Sequence, residues 1–493
     1  MEPQTDPRDL NGSRVSGINF VIRHARMKGI HVSIREKDVI VVGGGPSGVC
    51  AAVGAARLGA KTLLVERWGF LGGMATAGMV VPIHAFHNMR GQQIVKGIGD
   101  EIIERLAEIG GAYKEKHPVS AYRSAYTHTP FNVEDMKRVL LEMVEESGVE
   151  MLLHSFLFDA ETKGQYVQSI RVINKSGIGS LSSAYFVDAT GDGDLAVKAG
   201  AEFAKGDPSD GKCMAGSLMI HIGGVSDEKL ISYIKKNPDD FALAVDPFPK
   251  LTNRDLSEQI KTRKDIPLLR GFFSIVKQAK EKGDLHPYRN QLMLSFPPAA
   301  GEVYANVANV LHLDGSETDA LTKAEIETRK QVPGIIRFFR KYVPGFENCH
   351  LIQTAPQIGI RESRRIIGDY LLTLEEALEG TSFEDSIARG AYPSDIHTSD
   401  GGVQHTPIRN GSDYGIPFRC LLPKGIKNVL VGGRCISADR GGLGTIRHMA
   451  QCMATGHAAG VAAGLCARLS LEETRELQIE KLRAALIEQG AIV

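Results

Sequence analysis

At 493 residues the chain is longer than one hydrophobic core organises, so two or three units around a shared cleft are expected. With 43% hydrophobic and 24% charged residues, disorder and fibrous architectures are excluded, and 58 Lys plus Arg against 58 Asp plus Glu leave no broad basic field for nucleic acid or an anionic membrane surface. No uncharged apolar run approaches the roughly 18 to 20 residues that span a bilayer and no signal-peptide apolar region is present, so the cytoplasm is the expected location, with Glu2, Asp6 and Asp9 arguing against a transit peptide.

Residues 1–36 form an N-terminal extension outside the recognisable patterns. Its first dozen residues are polar and contain Pro3 and Pro7, which predicts no fixed structure. Residues 19–34 mix Phe20, Val21, Ile22, Ile30 and Val32 with basic residues, as a hairpin or a helix laid on the body or on a neighbouring subunit would.

From Asp38 the run Val39-Ile40-Val41-Val42 reads as a buried parallel strand, apolar and β-branched on both faces. It enters Gly43-Gly44-Gly45-Pro46-Ser47-Gly48. In G-x-G-x-x-G at a strand-to-helix turn, Gly43 permits the turn, Gly45 admits a pyrophosphate to the backbone and Gly48 lets helix and strand approach, with Pro46 and Ser47 beside the phosphates. Residues 49–58 read as a small-residue helix ended by Gly59, and Lys61-Thr62-Leu63-Leu64-Val65-Glu66 as a second buried strand. Glu66 stands 18 residues after Gly48, where a carboxylate can bind ribose hydroxyls. A glycine triplet alone is weak evidence in a chain with 54 glycines, whereas strand, triplet, helix, strand and acid together identify a dinucleotide fold.

The glycine-rich loop that follows, residues 67–78 with Arg67, Gly72, Gly73, Met74 and Thr76, is longer than a plain NAD fold needs and suits a flat tricyclic ring lying against backbone. Residues 166–187 alternate as a β-meander. It runs into Asp188-Ala189-Thr190-Gly191-Asp192, a second candidate cofactor turn. Residues 226–236, 256–282 and 322–343 read as charged helices, the last opened by a Thr322-Lys323-Ala324-Glu325 capping box and ended near Tyr342 before Pro344. Residues 303–307 read as a strand. Near the end, Val429-Leu430-Val431 leads into Gly432-Gly433-Arg434, then Gly444-Thr445-Ile446, then a small-residue helix over 453–465, whose N-terminal partial charge would favour an anionic group on a bound cofactor.

These segments, with Gly69-Phe70-Leu71-Gly72-Gly73 after the acid, Gly359-Ile360-Arg361-Glu362-Ser363-Arg364-Arg365, Ile416-Pro417-Phe418-Arg419 and Gly433-Arg434-Cys435-Ile436-Ser437, resemble the FAD-dependent oxidoreductase family from about residue 37 to 491. That family is distantly similar to fumarate reductase and succinate dehydrogenase flavoproteins and to heterodisulfide reductase flavin subunits. The resemblance implies an α/β, Rossmann-like two-dinucleotide-binding-domain flavoprotein with an inserted α+β substrate domain. Its expected division is 37–205 for the first part of the FAD-binding domain, 206–353 for the substrate or cap domain, 354–412 for the return and active-site loop, and 413–493 for the second FAD part with a C-terminal helix. Relatives that attach FAD covalently carry a histidine shortly before the Gly-Gly of the loop, where Gly69, Phe70 and Leu71 stand here, so noncovalent FAD is expected.

The expected activity is hydride transfer between flavin N5 and a small organic substrate. Two alternatives stay open: a monooxygenase or oxidase using O2, and an electron-transfer subunit needing a partner. Arg361 is the first catalytic candidate, as a bidentate clamp on a carboxylate or carbonyl, unless Arg361, Glu362, Arg364 and Arg365 together form a structural ion network. His405, in a glycine-rich loop, and His84, after the loop expected under the flavin, are candidates because imidazole titrates near neutrality, although loop and lining histidines are commonly only hydrogen-bonded. His84 and His87 lack a third metal ligand, and the seven cysteines (Cys50, Cys213, Cys349, Cys420, Cys435, Cys452, Cys466) contain no C-x-x-C pair, so no metal is expected and the thiols read as buried small hydrophobes. Homo-oligomer formation is left open.

Overall fold

A computed structural model describes residues 25–27, 30–32, 36–113, 127–243, 252–285, 290–398 and 402–493. The expectation for the first dozen residues lies outside that set. Within residues 19–34 the choice falls on a hairpin, Ala25–Met27 pairing antiparallel with Ile30–Val32.

Strand β1 (Glu36–Val42) carries the apolar run 39–42, buried on both faces, so it can sit only inside a sheet covered on two sides. Helix α1 (Pro46–Ala56) follows with Pro at its first turn, then β2 (Thr62–Val65). Strand β3 (Glu150–Leu152) and the meander β4 (Phe156–Lys163), β5 (Tyr166–Asn174) and β6 (Gly177–Asp188) complete the first half. In register, Val42 lies opposite both Val65 and Asp188 across parallel pairs, and β6 also pairs in parallel with a late strand so that Asp188 lies opposite Val431. Strands far apart in sequence therefore end level, and the turns at Gly43, Glu66, Ala189 and Gly432 emerge along one edge of the sheet, where ligands of such sheets bind.

A second sheet is antiparallel. Its strands β7 (Gly216–Gly223), β8 (Leu268–Gly271), β9 (Leu292–Ser295), β10 (Val303–Val310) and β11 (His350–Thr354) lie in spatial order β8-β9-β10-β7-β11, with the 25-residue helix α2 (Thr318–Tyr342) between β10 and β11 in the chain. The helix expected over 256–282 is instead two, Asn253–Gln259 and Phe273–Glu281, separated by β8. Pro267 and Gly271 flank the apolar pair Leu268-Leu269, and Gly271 (φ +151°) lies so close to Phe241 that an added Cβ would stand 2.6 Å from its Cα. The capping box at Thr322 is also corrected. Helix α2 begins four residues earlier, and the Thr322 hydroxyl donates to the Thr318 carbonyl inside it, an alternative use that a short polar side chain always offers. The end at Tyr342 is as expected.

The hairpin β12 (Ser394–His397) and β13 (Val403–Thr406) then leads back to the central sheet, whose last strand β14 (Val429–Val431) precedes two helices, α3 (Arg440–Ile446) and α4 (Met449–Arg468). Helix α4 starts four residues earlier than its pattern predicts. It packs on α1 through glycines one turn apart: an added Cβ would stand 2.1 Å from the Ser47 carbonyl oxygen at Gly456 and 1.9 Å from that of Ala51 at Gly460. Backbone meets backbone, so the N-termini of both helices reach the same sheet edge.

Candidate active site

Along that edge runs a groove of about 1090 Å³, open at one side. Gly43 has φ +98°, and an added Cβ there would stand 2.5 Å from the Ala189 carbonyl oxygen. At Gly48 an added Cβ would stand 1.7 Å from the Gly43 oxygen, so both positions admit only glycine. At Gly45, by contrast, the nearest atom is Gly73 Cα at 3.8 Å, and the space beyond is the groove. Helix α1 begins at Gly45 without a side-chain cap, and the neighbouring Ser47 hydroxyl is buried without a hydrogen-bond partner. The buried Glu66 carboxylate accepts from Gly44 N at 2.6 Å and Trp68 N at 2.8 Å, tying the first turn to the glycine-rich loop, and burial raises its pKa. On the facing turn, Asp188 accepts from Thr190 N, the Thr190 hydroxyl and Ala196 N, while burial pushes its pKa up to about 6. Arg434 donates to Gly191 O at 2.8 Å and to Asp192 at 2.5 Å, joining the second and third turns.

A second chamber of about 1060 Å³ adjoins the groove, and the two share Met74, Ile360, Arg361, Arg447 and Met449 as walls. All three catalytic candidates stand there. Arg361 lines both spaces and donates to Ala215 O at 2.6 Å. Its neighbours do not follow it: Glu362 pairs with Arg365 at 2.7 Å and Arg440 at 3.4 Å, and Arg364 pairs with Asp194. The ionic run thus divides into one cavity-lining guanidinium and a structural network.

His405 lies opposite Asp395 in the β12–β13 register, so both side chains share the face turned to the chamber. Arg270 of β8 donates to His405 Nε2 at 3.0 Å, which requires that nitrogen to be unprotonated. Burial, reinforced by Arg270 and Arg447 against the pull of Asp395, holds His405 below its ordinary pKa. Asp395 accepts from Arg447 at 2.9 Å. Burial alone would raise its pKa, but His397, Arg447, His405 and His448 around it outweigh this and hold it well below the usual carboxylate range. His84 shares a 2.7 Å Nδ1–Nδ1 hydrogen bond with His128, and burial takes its pKa down to about 4. Tyr392 and His448 pack beside it with ring centroids 3.7 Å apart.

A family model described as FAD dependent oxidoreductase matches residues 38–486. The chain belongs to this family. A 66-residue stretch is 41% identical to leghemoglobin reductase of Glycine max, covering 13% of each chain, and a 54-residue stretch is 50% identical to dihydrolipoyl dehydrogenase of Trypanosoma brucei brucei, covering 10% of this chain and 11% of that one. The chain therefore spans only about a tenth of the length of those relatives. Among solved structures, a geranylgeranyl bacteriochlorophyll reductase-like protein from Thermoplasma acidophilum aligns over 93% of this chain and 85% of that chain, with a TM-score of 0.45 and 13% identity.

As a member of the FAD dependent oxidoreductase family the protein is an enzyme with FAD as its cofactor, and the groove fits that molecule. Open space over Gly45, the unpartnered Ser47 hydroxyl, two helix N-termini without side-chain caps and the cations Arg67, Arg361, Arg434 and Arg447 along the walls suit a diphosphate. Of the cofactor residues expected from sequence, Gly43, Gly45, Pro46, Ser47, Glu66, Arg67, Gly73, Met74, Ala189, Thr190, Gly191, Asp192, Gly433 and Arg434 line it. Gly48, Gly72 and Thr76 lie behind the wall: Gly72 N donates to Gly44 O at 2.8 Å, and the buried Thr76 hydroxyl donates to Leu71 O at 2.6 Å. Gly444, Thr445 and Ile446 stand farther off, in α3, where Thr445 donates to Tyr392 O and so supports the chamber wall.

Sequence reasoning missed Arg270, Asp395, His397 and His448 as chamber residues. Asp395 and His397 stand two apart on a strand, which places them on one face, but nothing local tells which face meets a cavity. All seven cysteines are free and buried, and among the described residues no cluster of three or more His, Cys, Asp or Glu could hold a metal. No described helix is long and apolar enough to cross a membrane.

Proposed function

We propose that the enzyme transfers hydride between its flavin and a small organic substrate held in the inner chamber, with FAD bound noncovalently. The observation that carries this reading is that the chamber adjoins the groove, the two sharing Met74, Ile360, Arg361, Arg447 and Met449 as walls. Bound FAD supplies the hydride acceptor or donor at N5. The chain's own part is to place the reacting carbon and move one proton. Arg361, on the shared wall, holds an oxygen of the substrate. His405 and His84, neutral at pH 7 because burial lowers both pKa values, are proton acceptors when the substrate is oxidised, His405 at Nε2 once Arg270 turns from it to the substrate.

Anaerobic mixing of the holoenzyme with panels of small alcohols, acids and unsaturated compounds tests the reading. The expected result is loss of the visible flavin absorbance with one of them, and turnover of the isolated protein with an artificial electron acceptor. Incorporation of label from 18O2 into the product would instead establish a monooxygenase, and turnover only after addition of a second protein would establish an electron-transfer subunit.

A further inference from the structure

Among the described residues the chamber walls carry three guanidinium groups, Arg270, Arg361 and Arg447, and no lysine. Asp395 is the sole carboxylate among the described lining residues. Of the lining histidines, His84, His405 and His448 add little charge at neutral pH, since all three are held below their ordinary pKa, chiefly by burial. The excess is therefore cationic, and an enclosed excess of one sign selects a ligand of the other. Yet the one acid is not consumed by the cations. Arg447 occupies Oδ2 and the backbone carbonyl of Asp395, whereas Oδ1 is shielded from solvent and has no hydrogen-bond partner. His397 Nε2 at 3.9 Å and His405 Nε2 at 3.7 Å from it are beyond hydrogen-bond reach. An ionised, buried oxygen without a donor is costly unless a ligand supplies one.

Position narrows the ligand further. Arg270 Nη2 lies 3.0 Å and Asp395 Oδ1 3.7 Å from the same atom, His405 Nε2. The anion-binding and donor-accepting elements are thus adjacent, as for two groups on neighbouring carbons. A cationic surround disfavours an ammonium donor and leaves a hydroxyl. We propose that the chamber recognises a 2-hydroxycarboxylate, its carboxylate on the Arg270 guanidinium and its hydroxyl donating to Asp395 Oδ1. This rests on the reading of the chamber as the substrate site. It makes Asp395 and Arg270 residues that determine specificity.

The test is calorimetric titration of the holoenzyme with four matched probes: 2-hydroxyhexanoate, hexanoate, 2-aminohexanoate and 2-hydroxyhexanamide. The hydroxy acid is expected to bind roughly tenfold or more tightly than each of the others, as a hydrogen bond or ion pair to a charged group implies. Equal affinity for hexanoate or for the amide, tighter binding of the amino acid, or no binding of any probe would overturn the proposal. This wild-type panel decides whether or not any variant folds. In folded variants, Asp395→Leu is expected to abolish the preference for hydroxy over deoxy acid, and Arg270→Gln the preference for acid over amide; preferences unchanged in both would refute the residue assignment. Flavin bleaching is read separately under anaerobic conditions. Selective binding without bleaching by any compound keeps the ligand class and removes the hydride-transfer reading, whereas bleaching only by compounds lacking the two groups does the reverse.

Discussion

Gly45 and Gly48 are three residues apart in one turn, yet their surroundings give opposite expectations. An added methyl at Gly48 meets the Gly43 carbonyl at 1.7 Å, which neither backbone can yield, so Gly48→Ala is expected to lower stability by about 2–3 kcal/mol and to lose FAD with it. At Gly45 the methyl enters the groove itself. Gly45→Ala should therefore leave the apo-protein's urea midpoint unchanged while weakening FAD binding at least tenfold, measured by flavin fluorescence on titration. Equal stability losses in both variants would contradict the assignment of the open side to the cofactor. A second expectation concerns acid. His457 is buried against Gln489, and burial takes its pKa from 6.5 to about 4, as it does for His84. The neutral form is the one the fold favours, so the stabilising contribution is complete above pH 6.5 and is lost as pH falls through 4. Asp188, raised from 3.8 to about 6, works in the opposite sense: its contribution is complete below 3.8 and is lost as pH rises through 6. His128, His405 and His448, also held below their ordinary pKa by burial, add to the histidine side, so stability is expected to fall as pH drops from 6.5 towards 4. His457→Gln should flatten this slope, measured as urea midpoints at pH 7 and 4.5, and a slope equal to wild type would remove His457 from the account.

At the scale of elements, the small residues of α1 and α4 are visible in the sequence, but their partnership is not. Nothing local says that Ala51 will face a helix that begins almost 400 residues later. Contact through bare backbone explains the composition of both: an added Cβ at Gly460 would lie 1.9 Å from the Ala51 oxygen, whereas at Gly464 the nearest atom is Ala55 Cα at 3.2 Å. Gly460→Ala is thus expected to cost about 3 kcal/mol and Gly464→Ala under 1 kcal/mol by thermal denaturation of the apo-protein. Because the same contact brings both helix N-termini to the groove, Gly460→Ala should also weaken FAD binding. The hairpin β12–β13 was legible in sequence only as a glycine-rich loop bearing a histidine. Its pairing, which sets His405 opposite Asp395, depends on a register that spacing alone does not determine. The strand β8 was hidden for a related reason: four residues with two leucines and an arginine fit a charged helix as well as a strand until Pro267 and Gly271 are weighed as breaks.

For the whole molecule, the cofactor groove was readable because each of its turns is a local pattern: a buried strand, a glycine that must adopt positive φ or admit close approach, and an acid at the next strand end. The chamber was not readable, since its walls come from the second sheet (Arg270), the return segment (Arg361), the hairpin (Asp395, His405) and the approach to α4 (Arg447, His448), a juxtaposition made only by tertiary packing. The same interleaving has a thermodynamic consequence. The central sheet needs strands from both ends of the chain, and the second sheet is stitched to it through buried or bridging bonds: Ser295 to Val81 O at 2.6 Å, Met214 N to Glu362 at 2.9 Å, and Arg67 and Trp68 to Gln357 at 2.8 and 3.0 Å. Melting of either sheet would remove these partners from the other. Calorimetric unfolding is therefore expected to give one transition, and FAD at about a hundredfold excess over its dissociation constant, which adds about 2.7 kcal/mol to the native state, should move that whole transition upward by a few degrees. Two transitions, of which only the one from the parallel sheet responds to FAD, would show that the antiparallel sheet folds on its own and that the bonds across the chamber contribute little to holding the enzyme together.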